Sequence, residues 1–332
     1  MKLKEIGEHE FVRRFIVKYL DITIGEHEFV RRFIVKYLDI TKLEDVYISG
    51  NKGYKVDGFK LSYTFPFISY YDIGWKAITA VVSDLITKGV RPNIFLVSLG
   101  LNLNLEVEKS EELFKGLSDA IHYYKGKYVG GDLNDSDSNG WIDIFAEGDV
   151  VCNINGEIKT GDLVLVTDKI GYTTNVFMSY LNQFNIPILH KSLIKTKHPV
   201  VNRSLLYFIR RYCPYVKYST DISDGLIVSL YNIINNIMLG IEISEFPIDE
   251  SIFALLKKYL KMNKLDILKY SGEEFVSLFV VDRSSPLDSI LSDLKYLGFN
   301  PIVFGKIIDN KTIVYKNQEI KITGWDNFLG WY

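Results

Sequence analysis

The sequence predicts an α/β (α+β) fold in two domains, and three observations carry that expectation. At 332 residues the chain is too long for one ordinary core and suits two domains of similar size. Short apolar runs of strand length alternate with longer segments of helical period in both halves. Between the two sets lies a change of composition near Val151–Lys159, which divides an N-terminal domain at 42–150 from a C-terminal domain at 151–332.

The first 41 residues stand apart. Ile6–Thr23 (IGEHEFVRRFIVKYLDIT) is repeated without a change as Ile24–Thr41. In each copy Phe11, Val12, Phe15, Ile16, Tyr19 and Leu20, or their equivalents, recur at helical spacing opposite Arg13, Arg14 and Lys18, the pattern of an amphipathic helix. Solenoids need at least three units that drift in sequence, so a repeat architecture is rejected in favour of a recent duplication or an error in the reading of the gene.

From Glu44 the pattern turns to strand-like runs at Asp45–Ser49 and Phe59–Thr64. Ile73–Gly89 reads as a helix with Trp75, Ile78, Val82 and Leu85 on one side and Gly89 as its stop. Ile94–Leu101 is a compact apolar strand. Ser110–Tyr124 is an amphipathic helix opening on a serine and two glutamates. Tyr128–Asp132 is read as a strand ending in a Gly-Gly-Asp turn, followed by an alternating strand at Trp141–Val151. The second domain should contain a buried strand at Gly161–Thr167, helices at Thr173–Phe184 and Leu205–Tyr212, and a strand–turn–helix over Tyr218–Asn236. Strands at Ile241–Ile243, Val276–Val281 and Ile302–Phe304 complete a mixed sheet.

Composition removes several function classes. Hydrophobic residues at 47% and charged residues at 24% are ordinary globular usage, which excludes disorder and collagen. A net charge of -2 gives no basic surface to track nucleic acid. No run of about 18 apolar residues occurs, and Met1–Glu8 is charged from its start, so neither membrane spanning nor secretion is expected. Cys152 and Cys213 are far apart and form no CxxC pattern; neither a disulfide framework nor a zinc site is expected, and a reducing cytoplasm is the default. His9, His27, His122, His190 and His198 show no ligand spacing, and surface or cap roles suit them.

Four places suit phosphate and metal chemistry, which needs hard oxygen ligands beside close-approaching backbone. Asp84 lies inside an otherwise apolar helix, where a carboxylate is costly unless it is paired or coordinating; a ligand and a solvated face are equally open. Asp132 follows Gly130 and Gly131, which permit close backbone approach to an anion. Asp221 and Asp224 bracket Ile222 and Ser223 before a helix, where capping and a metal–phosphate site both stand. There is no GxxxxGK[ST] and no protein-kinase motif set, so phosphate handling of another kind is implied.

Taken in order, these segments resemble thiamine-monophosphate kinase, within the superfamily of aminoimidazole ribonucleotide synthetase. The segments are Gly74–Pro92 (GWKAITAVVSDLITKGVRP), Val129–Asp132 (VGGD), Thr220–Leu226 (TDISDGL), Ser271–Phe279 (SGEEFVSLF) and the closing Gly324–Phe328 (GWDNF). The resemblance implies a dimerising sheet in the N-terminal domain, a homodimer, and ATP-dependent phosphorylation of thiamine monophosphate without a covalent intermediate. It also implies Mg²⁺ on Asp84, Asp132, Asp221 and Asp224, and ATP near Phe114, Gly131, Asp132 and Ser223. Thiamine phosphate would face Glu273 and Trp325.

The resemblance also has gaps. Asn51, Lys52 and Phe65 stand where the family carries acids, and Leu133-Asn134-Asp135 replaces its Thr-Thr-Arg. By position alone, Lys52 is expected to touch phosphate. Two further readings share these residues: a binding or regulatory paralogue that keeps nucleotide or thiamine phosphate without turnover, and another ATP-dependent enzyme of the superfamily. GWDNF argues against the latter, and the replaced acids argue for the former.

Overall fold

In a computed structural model, residues 25–30, 44–235, 237–327 and 329–331 are described. The chain separates into two compact units, one formed by the first 43 residues with Trp325–Tyr332, the other by Glu44–Gly324. In the first unit, helix α1 (Glu26–Phe29) meets the C-terminal ribbon, Glu26 N–H donating to Asp326 Oδ1 at 3.0 Å. The rest of the duplicated segment lies outside the described residues.

The larger unit begins with β1 (Tyr47–Ser49), β2 (Lys52–Lys60), helix α2 (Tyr70–Thr87), β3 (Val90–Leu101), helix α3 (Val107–Tyr123), β4 (Lys127–Asp135) and β5 (Trp141–Val150). These strands form a five-stranded sheet in the order β1-β2-β5-β3-β4, antiparallel except for the β3–β4 pair. The parallel pair requires a crossover, which α3 supplies. On β5, Ile142, Ile144 and Ala146 are fully buried while Asp143, Phe145 and Glu147 alternate to the other face. Helices α2 and α3 join the buried face in one core with Ile78, Val82, Leu85, Leu113 and Leu117.

Next come β6 (Leu163–Val166), α4 (Tyr172–Leu181), α5 (His190–Lys197), α6 (Leu205–Tyr212), β7 (Val216–Asp221), α7 (Leu226–Asn235) and β8 (Gly240–Ile243). They are followed by α8 (Glu250–Leu260), α9 (Lys264–Lys269), β9 (Ser277–Val281), α10 (Leu287–Tyr296), β10 (Ile302–Ile308), β11 (Ile313–Tyr315) and β12 (Gln318–Glu319). Seven strands form a second, mixed sheet in the order β12-β11-β8-β10-β6-β9-β7. Its strand β9, next to the β7 edge, is buried at every position, and after Ser277 it is wholly apolar. The pair β13 (Trp325–Asp326) and β14 (Gly330–Trp331) belongs to the first unit. No helix among the described residues is long and apolar enough to cross a membrane.

Four expectations are corrected. The first long strand begins at Lys52 and ends at Lys60, because Lys55 and Asp57 turn inward and break the apolar alternation; Leu61–Thr64 is turn. Helix α3 starts at Val107, with Ser110 inside it and no side-chain cap on its first turn. The Gly-Gly-Asp segment is strand, since β4 continues to Asp135 along β3. Cys152 and Cys213 form a disulfide across 61 residues, their Cα atoms 5.9 Å apart, well within bridging range. Sequence spacing did not show that the segment after β5 returns to the end of α6.

Candidate functional site

Helix α2 positions most of the candidate site. A capping box starts it: Asp72 N–H donates to Ser69 Oγ, and Ser69 N–H to Asp72 Oδ2. Its apolar residues fill the core, yet Lys76, Thr79, Ser83, Asp84, Thr87 and Lys88 are buried as well. Most of these fall at i, i+7, i+8, i+11 and i+12, one stripe of the helix. A buried polar stripe survives only if partners meet it.

Partners come from both sheets. Lys76 Nζ donates to Glu273 Oε1 at 2.8 Å and sits 4.8 Å from the centre of the Phe59 ring. Ser83 Oγ donates to Asp221 Oδ2 in a short bond at the end of β7. Asp84 Oδ2 lies 2.6 Å from Lys55 Nζ on β2, which also approaches Asp57 at 3.8 Å. Thr87 and Ser277 hydroxyls are 2.5 Å apart. Lys88 Nζ pairs with Glu44 at 3.2 Å and Asp45 at 3.6 Å and lies over the Tyr218 ring.

Burial dominates the electrostatics. It pushes Asp84 well above the carboxylate range, opposed by Lys55 and assisted by Asp221, Asp45 and Asp57. It takes Asp221 to about 7, against the Ser83 hydrogen bond and Lys55. Burial works to lower Lys55, but Asp84 and Asp57 outweigh it and the ammonium is held above its ordinary range.

The loop beside this stripe is unusual in its backbone. Glu273 and Phe275 adopt left-handed conformations, φ 53° and 48°, which non-glycine residues rarely take. Glu273 N–H donates to Ser223 O at 2.6 Å and Phe275 N–H to Ile222 O, fastening this loop to the β7–α7 turn. At the start of α7, Leu226 N–H is met by Ser271 Oγ. Between the two outliers, Glu274 accepts from Gly171 N–H, Thr173 N–H and Thr173 Oγ1.

The expected site residues therefore divide. Asp84, Asp221, Ser223 and Glu273 come together along α2 and the β7–α7 turn, with Asp224 in that same turn. Phe114, Gly131 and Asp132 lie elsewhere, at the β4 edge. Phe114 lines a cavity of about 380 Å³ with Val97, Leu117, Ile121 and Tyr128. Gly131 runs so close to β3 that a Cβ would fall 1.9 Å from Val97 O. Asp132 is exposed and accepts from Asn134 Nδ2 at 2.8 Å. Trp325 lies in the first unit, its ring 5.5 Å from that of Trp331.

Lys52, expected at phosphate, is held by Glu147 at 2.7 Å and Asp149 at 3.0 Å. Phe65 stacks on Phe67 and meets Tyr180 edge-on. Lys55, Lys76 and Ser83 were missed; the last two lie in the quoted helix segment, where a polar residue every seven or eight positions was the available signal. As a metal site, the donor set does not fit as it stands. Among the described residues no group of three histidine, cysteine or carboxylate side chains is placed to share an ion, and Asp84 is already held by an ammonium.

A five-stranded sheet backed by two helices, joined through a charged helix to a second mixed sheet, defines the class. Residues 50–150 match the family model described as AIR synthase related protein, N-terminal domain. Beyond that domain, the chain resembles thiamine-monophosphate kinases over most of its length. It is 26% identical over 275 residues to thiamine-monophosphate kinase of Pyrococcus horikoshii, covering 80% of this chain and 82% of that protein. The structure of AaThiL complexed with AMPPCP and TMP has a TM-score of 0.75 at 23% identity, covering 98% of this chain and 99% of that one. The fold is shared further: the E. coli hydrogenase maturation protein HypE has a TM-score of 0.68 at 16% identity, covering 89% of this chain and 97% of that one.

Proposed function

We propose that this chain transfers the γ-phosphoryl group of ATP to thiamine monophosphate, giving thiamine diphosphate and ADP. The likeness to enzymes of that name over 80% of the chain supports the reading, as does a similarly folded protein complexed with AMPPCP and TMP. Because the same fold serves other proteins, the site must carry the argument. The observation that carries it is the loop with left-handed Glu273, which Lys76 of α2 holds at 2.8 Å and which is fastened to Ser223 in the β7–α7 turn.

In this reading an oxygen of the substrate phosphate attacks the γ-phosphorus in line, and the bond to the β–γ bridging oxygen breaks as ADP leaves. Ser223 meets the nucleotide beside Glu273, which Lys76 orients toward the thiamine phosphate, while Phe114, Gly131 and Asp132 form a separate group at the β4 edge. Mg²⁺ would arrive with ATP as the counter-ion of its phosphates; Asp221 and Asp224, which share the β7–α7 turn, are the carboxylates that would face it there, and Asp132 would do so only from the β4 edge. The protein acts as a cytoplasmic homodimer. Catalysis by positioning requires no covalent intermediate.

A second reading, binding without turnover, is favoured by Lys52 and Lys55: both are engaged by protein carboxylates rather than free for phosphate. Incubating the purified chain with thiamine phosphate, ATP and Mg²⁺ separates the two. Thiamine diphosphate in the products supports the kinase. Calorimetric binding of either ligand with no product establishes the second reading.

A further inference from the structure

Lys55 and Asp57 lie two residues apart on β2, opposite Ala146 and Ile144, whose side chains are buried; both therefore project to the face of the sheet that α2 covers. There the ammonium meets Asp84, 7% exposed, at 2.6 Å. Asp221, Asp57 and Asp45 add negative charge around Asp84, and Lys55 is the cation in contact with its Oδ2. A buried carboxylate group of this kind needs a positive charge within contact distance to stay ionised.

We propose that Lys55 is the resident cation of this site: its tethered ammonium occupies the position at Asp84 that a divalent ion would take, and so excludes such an ion. An ion such as Mg²⁺ binds carboxylate oxygen at about 2.0–2.1 Å and keeps an octahedral shell. Asp84 Oδ2 is covered by Nζ at 2.6 Å, so the two cations compete for one oxygen. The strand holds the ammonium in place, which makes the charge permanent and independent of metal supply. Asp84, expected from the resemblance to ligate Mg²⁺, thus serves as the partner of a lysine. The inference stands apart from the proposed reaction, because metal binding without nucleotide reads it.

The test uses Mn²⁺ as the probe, followed by electron paramagnetic resonance on the nucleotide-free full chain. The wild type should show no site at Asp84 tighter than about 1 mM, the weak end of carboxylate sites. Lys55→Met keeps the straight stem and removes the charge; it should gain a Mn²⁺ site at least about tenfold tighter, since affinity follows ligand charge. The double variant Lys55→Met with Asp84→Asn should lose that site. A folded Lys55→Met chain that binds Mn²⁺ no better than wild type overturns the proposal. If Lys55→Met does not fold, the wild type decides: a tight Mn²⁺ site that Asp84→Asn abolishes sinks it, and absence of such a site upholds it.

Discussion

Asp221 ends β7 with its carboxylate buried against α2, and this placement makes folding depend on pH in an uncommon direction. Burial first, then the charges of Asp45 and Asp57, raise it from 3.8 to about 7, while Ser83 and Lys55 act against them. Between those values the folded chain holds a proton that the unfolded chain has released. Stability from this group is therefore complete below about pH 4 and is lost as pH rises through 7. In metal-free buffer, Asp221→Asn should flatten the decline of unfolding free energy over this window by about 1 kcal/mol per pH unit. Urea denaturation from pH 5 to 8 checks this, and equal slopes in the two proteins would refute it. Asp221 was legible in the sequence because two acids before a helix are conspicuous. Lys55 was not: a lysine in a strand ordinarily points to water, and only the register with β5 turns it inward.

At the scale of elements, the crossing of α2 and α3 is set by two glycines. A Cβ on Gly74 would fall 2.3 Å from Leu113 O, and one on Gly116 2.0 Å from Tyr71 O, so the helices touch backbone to backbone. Gly116→Ala has a better intrinsic helix propensity yet should destabilise the fold by about 1–3 kcal/mol, the usual cost of overpacking. A thermal melt of the variant that matches or exceeds wild type would remove the close crossing. Helix α2 itself was readable from its apolar spacing, to within three residues at its start. The β4 segment was not, because paired glycines and an aspartate are the vocabulary of turns. Here Gly130, at φ 141°, instead absorbs a register shift against β3, and the strand goes on. Local composition cannot reveal a neighbour strand that arrives from elsewhere in the chain.

For the whole molecule, most strands of both halves and the helices α2, α4, α6 and α7 were legible from periodicity, whereas helices α5, α8, α9 and α10 and the links between distant segments were not. The Cys152–Cys213 bridge and the Glu273–Ser223 bond join residues whose meeting no local pattern announces. The duplication poses the opposite case, a conspicuous sequence feature most of which lies outside the described residues. Glu26 takes part in the first unit, its N–H bonding Asp326 and its carboxylate accepting from Asn327 Nδ2 at 2.7 Å. The first copy carries the same residues at Gly7, Glu8 and Phe11, and it offers nothing that the second lacks. Because the copies are identical and adjacent, deleting Ile6–Thr23 or Ile24–Thr41 gives one and the same shortened chain. That chain keeps one glutamate for Asp326 and Asn327 and runs directly into Lys42 and β1. Its melting temperature should stay within about 2 °C of the parent, less than the shift that 1 kcal/mol produces in a chain of ordinary domain size. Nucleotide binding by calorimetry should be equally unmoved. A drop of many degrees on removing either copy would mean that the duplicated helix packs as a second, distinct layer, and the idea of a structurally silent duplication would fall.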